Sequence, residues 1–266
     1  MSRRTSVSGD FSSKKRRTIL RSSSCSSLKP KFIIRPLLPL STTPPEISQR
    51  DRGANPCQAK RVDNVELVWS DALAEVHRFV VGPIANNVYV VRCKRTGEAA
   101  LLDAANEHER LLEVARALGV TSVLETHGHW DHIGAVEQVR DAGIDVWVRA
   151  EDAHLLPSYD HLLDDDVVHQ VGELRLRTIH TPGHTPGSIC FALENTPVIF
   201  SGDTLFPGGP GNATFEGGDF ATIITSIEER LFRVFDADTV FWPGHGAPST
   251  IGAERPHLDE WVARGW

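Results

Sequence analysis

The apolar positions of the chain change period in a way that marks its elements. From Val76 onward they fall in short β-branched runs at 76–81, 87–93 and 99–103, separated by Gly82-Pro83 and by the polar stretch 94–97. Runs of this length between turn residues predict antiparallel strands. Over 107–118 the period lengthens, with Leu111, Leu112, Ala115 and Leu118 at helical spacing and Gly119 as the stop. A strand at 122–125, a second helix at about 133–142 ending on Gly143, and a strand at 145–148 follow. Further strands are predicted at 167–171, 173–179, 188–193 and 198–201. A glycine-rich loop at 207–218, a helix near 221–232 and a last strand at 239–242 close the unit. Strands and helices in this order build sheets covered by helices on their outer faces, in one domain over 76–266 with no internal repeat.

The first 60 residues break this pattern. They are rich in Ser, Arg and Lys, with the run Lys14-Lys15-Arg16-Arg17, and carry 13 basic residues against 3 acidic ones. That composition predicts a disordered leader, with 61–75 as a linker into the domain. The apolar stretch 32–40 is interrupted by Arg35, Pro36 and Pro39, which argues against a membrane span and against a signal-peptide core. The leader reads either as an organelle transit peptide or, preferred here, as sequence upstream of the native start, with translation beginning near Val62, Val65 or Val76. Charge sharpens the division: beyond residue 60, 15 basic residues face 32 acidic ones. A domain so acidic lacks the basic field that displaces counterions from phosphates, so nucleic acid is excluded as a generic partner. Cys25, Cys57, Cys93 and Cys190 are scattered without a CxxC pair, which fits a reducing compartment and a cytoplasmic protein.

The chemistry concentrates in Thr126-His127-Gly128-His129-Trp130-Asp131-His132, placed after a predicted strand and opening a helix. Three imidazoles and a carboxylate at such a corner suit a borderline-soft divalent cation such as zinc. Gly128 and Trp130 are the positions that point away from the shared centre. Three later segments repeat the placement of a ligand type in a Gly- or Pro-rich loop after a strand: Pro182-Gly183-His184, Ser201-Gly202-Asp203 and Pro243-Gly244-His245. Singly each is ordinary loop chemistry; in order they are not. The succession HxHxDH, His, Asp, His resembles the metallo-β-lactamase fold superfamily over about 76–255. That resemblance implies an α/β (α+β) fold, a four-layer αββα sandwich. It also implies one metal on His127, His129 and His184, a second on Asp131, His132 and His245, and Asp203 bridging them. The implied cofactors are two divalent ions, zinc first, with iron or manganese as alternatives. A hydroxide shared by the ions would be the nucleophile, with Asp131 as a second-ranked proton acceptor. His180 is expected to support the site rather than ligate.

Asp203 stands where antibiotic-hydrolysing lactamases generally carry Cys or Ser. The segments Gly202-Asp203-Thr204-Leu205-Phe206 and Phe215-Glu216-Gly217-Gly218-Asp219, with the ending Pro243-Gly244-His245-Gly246, are similar to the glyoxalase II group, which hydrolyses S-acylglutathione thioesters. The loop 208–215 has no basic residue and no tyrosine, and only 21 residues follow His245, so the resemblance is to short single-domain glyoxalase-II-like hydrolases rather than to enzymes with a helical glutathione-binding domain. The expected partner is a small-molecule thioester or ester, with Trp130, Asn212 and Phe215 as candidate substrate contacts and no membrane involved. The alternatives of the same fold are a lactonase and a persulfide dioxygenase holding one iron.

Overall fold

The computed structural model describes residues 64–265. Two sheets pack face to face with helices outside each. The first runs β1 (Glu66–Ser70), β2 (Ala74–Val81), β3 (Asn86–Cys93), β4 (Ala99–Leu102), β5 (Val120–Leu124), β6 (Asp145–Arg149), β7 (His161–Leu163) in spatial order. It is antiparallel from β1 to β4 and parallel from β4 to β7. The second is built from β8 (Val168–Val171), β9 (Leu174–His180), β10 (Ile189–Leu193), β11 (Val198–Gly202), β14 (Val240–Pro243) and β15 (Ser249–Thr250), with β12 (Leu205–Phe206) and β13 (Gly209–Pro210) as a separate small hairpin.

Strand periodicity explains the layering. In β3, Tyr89 and Val91 enter the core between the sheets while Val88 and Val90 enter the core under the first helix layer. In β10, Ile189, Phe191 and Leu193 face the first sheet, and Cys190 and Ala192 face the second helix layer. Both faces are buried, so these strands read as continuous apolar runs rather than polar alternations. Helix α1 (His108–Leu118) and α2 (Val136–Asp141) cover the first sheet, burying Leu111, Val114, Val136 and Val139. Helix α3 (Phe220–Ser226), which widens into a π-turn over Ile227–Phe232, and the C-terminal α4 (Ile251–Glu254) and α5 (Leu258–Arg264) cover the second. The αββα order expected from the resemblance is the observed one.

Several boundaries differ from the sequence reading. The stretch assigned to a linker carries β1, an edge strand paired with β2 from Glu66↔Arg78 to Ser70↔Glu75; its half-exposed residues give little periodic signal. Helix α2 starts at Val136 rather than near 133, because the Gly134 and Ala135 amides bond to the Ala105 and Ala104 carbonyls at 2.9 and 2.8 Å. The strand at 239–242 does not close the unit: Ile251 and Trp261, from α4 and α5, are buried in the outer core. The leader assigned to 1–60 lies outside the described residues, as do Cys25 and Cys57, whereas Cys93 and Cys190 are buried free thiols. Among the described residues no helix is long and apolar enough to cross a membrane.

Candidate metal centre

The four ligand-bearing segments follow β5, β9, β11 and β14. They meet at one end of the sandwich, where Asp203 and the histidines from both sheets face each other. His127, Asp131, His132 and His184 are buried, and His129, Asp203 and His245 partly exposed.

Distances divide the cluster into two halves. In one, His129 Nδ1 and His127 Nε2 lie 2.9 and 3.2 Å from His184 Nε2. Nitrogens bound at zinc distances around one tetrahedral centre sit about 3.3 Å apart, so this spacing fits a shared cation. In the other, Asp131 Oδ2 lies 3.3 Å from His132 Nε2 and 3.2 Å from His245 Nε2. Asp203 faces both: its carboxylate is 3.5 Å from His132 Nε2, 3.7 Å from His184 Nε2 and 3.7 Å from His245 Nε2. Two atoms of the cluster, His132 Nε2 and Asp203 Oδ1, are fully buried without a hydrogen bond. Buried polar atoms are ordinarily satisfied, and lone pairs aimed at a common point are satisfied by a cation. Three donor triads qualify by proximity: His127, His129 and His184; His127, His132 and Asp203; Asp131, His132 and His245.

Four of the five imidazoles have their outward nitrogen fixed. His132 Nδ1 donates to Asp103 Oδ2 at 2.8 Å, His184 Nδ1 to the Asn212 carbonyl at 2.7 Å, and His245 Nδ1 to the Ile84 carbonyl at 3.2 Å. Thr126 Oγ1 donates to Asp103 Oδ2 and so accepts from His127 Nδ1, at 2.9 and 3.0 Å. Each bond occupies the outer nitrogen and leaves Nε2 aimed inward, the arrangement a metal-ligating histidine requires. Electrostatics separates the halves again. Burial holds His127 and His129 below the usual imidazole range, reinforced by the neighbouring imidazoles, and holds His184 there despite Asp203. Burial pulls His132 and His245 the same way. Asp203 and Asp103 reverse it for His132, and Asp131 and Asp203 reverse it for His245, so both lie above the usual range. Burial would raise Asp131 and Asp203, but the adjacent histidines hold both carboxylates down.

Residues 81–245 match the metallo-beta-lactamase superfamily. The chain belongs to that superfamily. A hydroxyacylglutathione hydrolase of Haemophilus influenzae is 37% identical over 179 residues, covering 59% of this chain and 84% of the relative. Among solved structures, BLEG-1 B3 metallo-beta-lactamase superposes with a TM-score of 0.64 at 31% identity, covering 69% of this chain and 97% of the other. TTHA1623 in a di-iron-bound form gives 0.61 at 28% identity, covering 67% and 96%.

Within this superfamily member, every metal ligand expected from the sequence lies in the cluster. His180 lies outside it, with Nε2 bonded to the Pro186 carbonyl at 2.9 Å. Trp130, Asn212 and Phe215 all line the cleft above the cluster. The Asn212 side chain, however, is engaged by Thr214, whose amide and hydroxyl both bond to Oδ1. The supporting residues went unread in the sequence. Besides Asp103 and Thr126 they include Asn86, which donates to Asp131 Oδ2 at 2.9 Å. Asp152 is fully buried and accepts from the Gly128 amide at 2.8 Å, the Thr185 hydroxyl at 2.6 Å and the Gly187 amide at 2.7 Å. It thereby ties the His129 loop to the His184 loop. A polar residue at a strand end was the only signal available for Asp103, and nothing local distinguished Asp152.

Proposed function

We propose that this protein is a dinuclear metal-dependent hydrolase that cleaves thioesters, the activity its Haemophilus influenzae relative's name implies for that protein. The observation that carries the reading is Asp203, one carboxylate facing both halves of the donor cluster. His127, His129 and His184 would hold one ion and Asp131, His132 and His245 the other, with Asp203 between them. An all nitrogen and oxygen donor set suits zinc; the di-iron form of TTHA1623 supports iron as the alternative. Two divalent ions held there would supply an activated water and Lewis-acid polarisation of the substrate carbonyl.

The chain's own residues orient and exclude. Asp103, the Asn212 carbonyl and the Ile84 carbonyl lock three imidazoles, so the donors need no rearrangement when substrate arrives. Asn86 holds Asp131 at Oδ2. Asp131 would be a second-ranked proton acceptor, because a carboxylate that binds a metal ion is a weak base. The same carboxylates are poor acids, and a thioester tolerates that because its thiolate leaves without protonation. A soluble small molecule is the partner, and the cytoplasm the compartment that two free buried thiols fit.

The test is metal content and turnover on protein purified without added metal. Two divalent ions per chain are expected, with thioesters cleaved faster than lactones or a β-lactam. His129→Ala should lose one ion and reduce thioester hydrolysis on the order of a hundredfold or more. One iron per chain with oxygen uptake on a persulfide would overturn the reading.

A further inference from the structure

The cleft above the donor cluster encloses about 1210 Å³, more than most single small-molecule sites. Its walls are apolar and come from separate loops. Trp130 and Phe215 are 65% and 55% exposed, and Ile84 and Leu155 are exposed beside them; with Phe206 they line the cleft. The Phe215 ring meets His129 edge-on with centroids 5.5 Å apart, and Phe206 stacks on His245 at 6.5 Å. Each half of the cluster therefore has an aromatic ring beside it. Large apolar side chains converging on a reactive centre are unfavourable in water and mark a surface that a ligand covers. Charge is scarce by contrast. Apart from the expected metal donors, the ionisable lining residues among those described are His154, Glu216 and Arg264, and Arg264 Nη2 already donates to the Gly208 carbonyl at 3.1 Å. Among the described residues, a carrier bearing two carboxylates or several phosphates would meet one guanidinium, one imidazole and one opposing carboxylate.

We infer that the substrate is an apolar acyl thioester: an aromatic or medium-chain acyl group seated between Trp130 and Phe215, on a carrier thiol without multiple anionic groups. The cleavage itself rests on the hydrolase reading above. Water gives its oxygen to the acyl carbon, the carbon–sulfur bond breaks with its electron pair going to sulfur, and the products are a carboxylate and a thiol. Binding of the acyl chain does not depend on that step and is measured apart from it.

The probes are uncleavable S-alkyl thioethers of N-acetylcysteamine, from ethyl to octyl, titrated calorimetrically into the metal-loaded protein. Kd should fall about fourfold per buried methylene until the cleft is filled. S-alkyl glutathiones of equal chain length should bind no tighter. Trp130→Ala and Phe215→Ala, both at exposed positions, should each weaken octyl binding about tenfold and flatten the series. Val234→Ala, an exposed apolar side chain outside the cleft lining, should leave it unchanged. A Kd independent of chain length, or glutathione thioethers binding about tenfold tighter than neutral ones, overturns the inference. Turnover of the matching thioesters is scored separately. Chain-dependent binding without turnover defeats the hydrolase reading and leaves the apolar site standing; turnover with a flat binding series defeats only the apolar site.

Discussion

Asp103 accepts a 2.8 Å hydrogen bond from His132 Nδ1 while its own backbone sits at φ 65°. The same carboxylate accepts from the Thr126 amide at 2.6 Å and the Thr126 hydroxyl at 2.9 Å. The left-handed turn at the end of β4 aims one buried carboxylate at the strand-to-loop corner after β5. It fixes the His132 tautomer and the path of the loop that carries His127, His129 and Asp131.

Asp103→Asn isolates the electronic part of this role, because Asn tolerates the left-handed region nearly as well as Asp. The His132 Nδ1–H then faces an uncharged amide, and Nε2 loses donor strength. Metal affinity should fall about 10- to 100-fold, read by competition with a chromophoric chelator, while the far-ultraviolet circular dichroism stays that of the parent. An unchanged affinity would remove Asp103 from the centre.

The residues of the cluster were legible because each sits in a short polar segment directly after an apolar run, and because three imidazoles and a carboxylate within six residues suit a shared cation. The long strands and α1 were legible for the same periodic reason. What was not legible depends on pairing across distance. Asp103 sits at a strand end, where a single carboxylate is unremarkable until His132 folds against it. Asp152 acquires its role only when Gly128, Thr185 and Gly187 surround it. β1 and the three-residue β7 are edges of the first sheet, too exposed or too short to show a period of two. α4 and α5 are seven residues or fewer, and packing of Ile251 and Trp261 holds them rather than helix propensity.

Asp152→Ala should cost more stability than its loop position suggests. Removal leaves the Gly128 and Gly187 amides and the Thr185 hydroxyl buried with lost partners, and the loss should be about 2–4 kcal/mol. Urea unfolding monitored by fluorescence gives the number. Asp152→Asn, which keeps the volume but has one acceptor oxygen, should fall between parent and Ala. A change below about 0.5 kcal/mol for Ala would mean that the two loops are held elsewhere.

Gly244 is held by close approach rather than by its backbone angle. A Cβ there would lie 2.2 Å from Asp203 Oδ1 and 2.8 Å from His132 Cε1, so one methyl must displace the carboxylate that faces both halves. Gly244→Ala should retain the fold and lose at least one metal equivalent, measured by elemental analysis of the purified protein. Gly246→Ala is the contrast. Its Cβ meets nothing within 4 Å, although φ is 76°, so it should lower stability by about 1 kcal/mol through backbone strain and leave metal content intact.

Asp160 gives a pH dependence away from the metal centre. Arg140 grips both of its oxygens at 2.9 and 2.5 Å, and the Val146 amide donates to it at 2.9 Å. The guanidinium pulls its carboxyl from 3.8 down to about 2. A folded value below the unfolded one means that the ionised group stabilises the fold at any pH above about 4. That contribution is lost as pH falls from about 4 to about 2. With the solvent screening of a partly exposed pair, Asp160→Asn should be about 1 kcal/mol less stable than the parent at pH 7. The two proteins should converge toward the lowest pH at which they remain folded. Urea midpoints of chelator-treated protein at several pH values measure this without acid release of metal entering the comparison. A gap that stays constant between pH 7 and pH 2.5 would show that Asp160 acts through geometry alone, by holding the start of β6, and not through its charge.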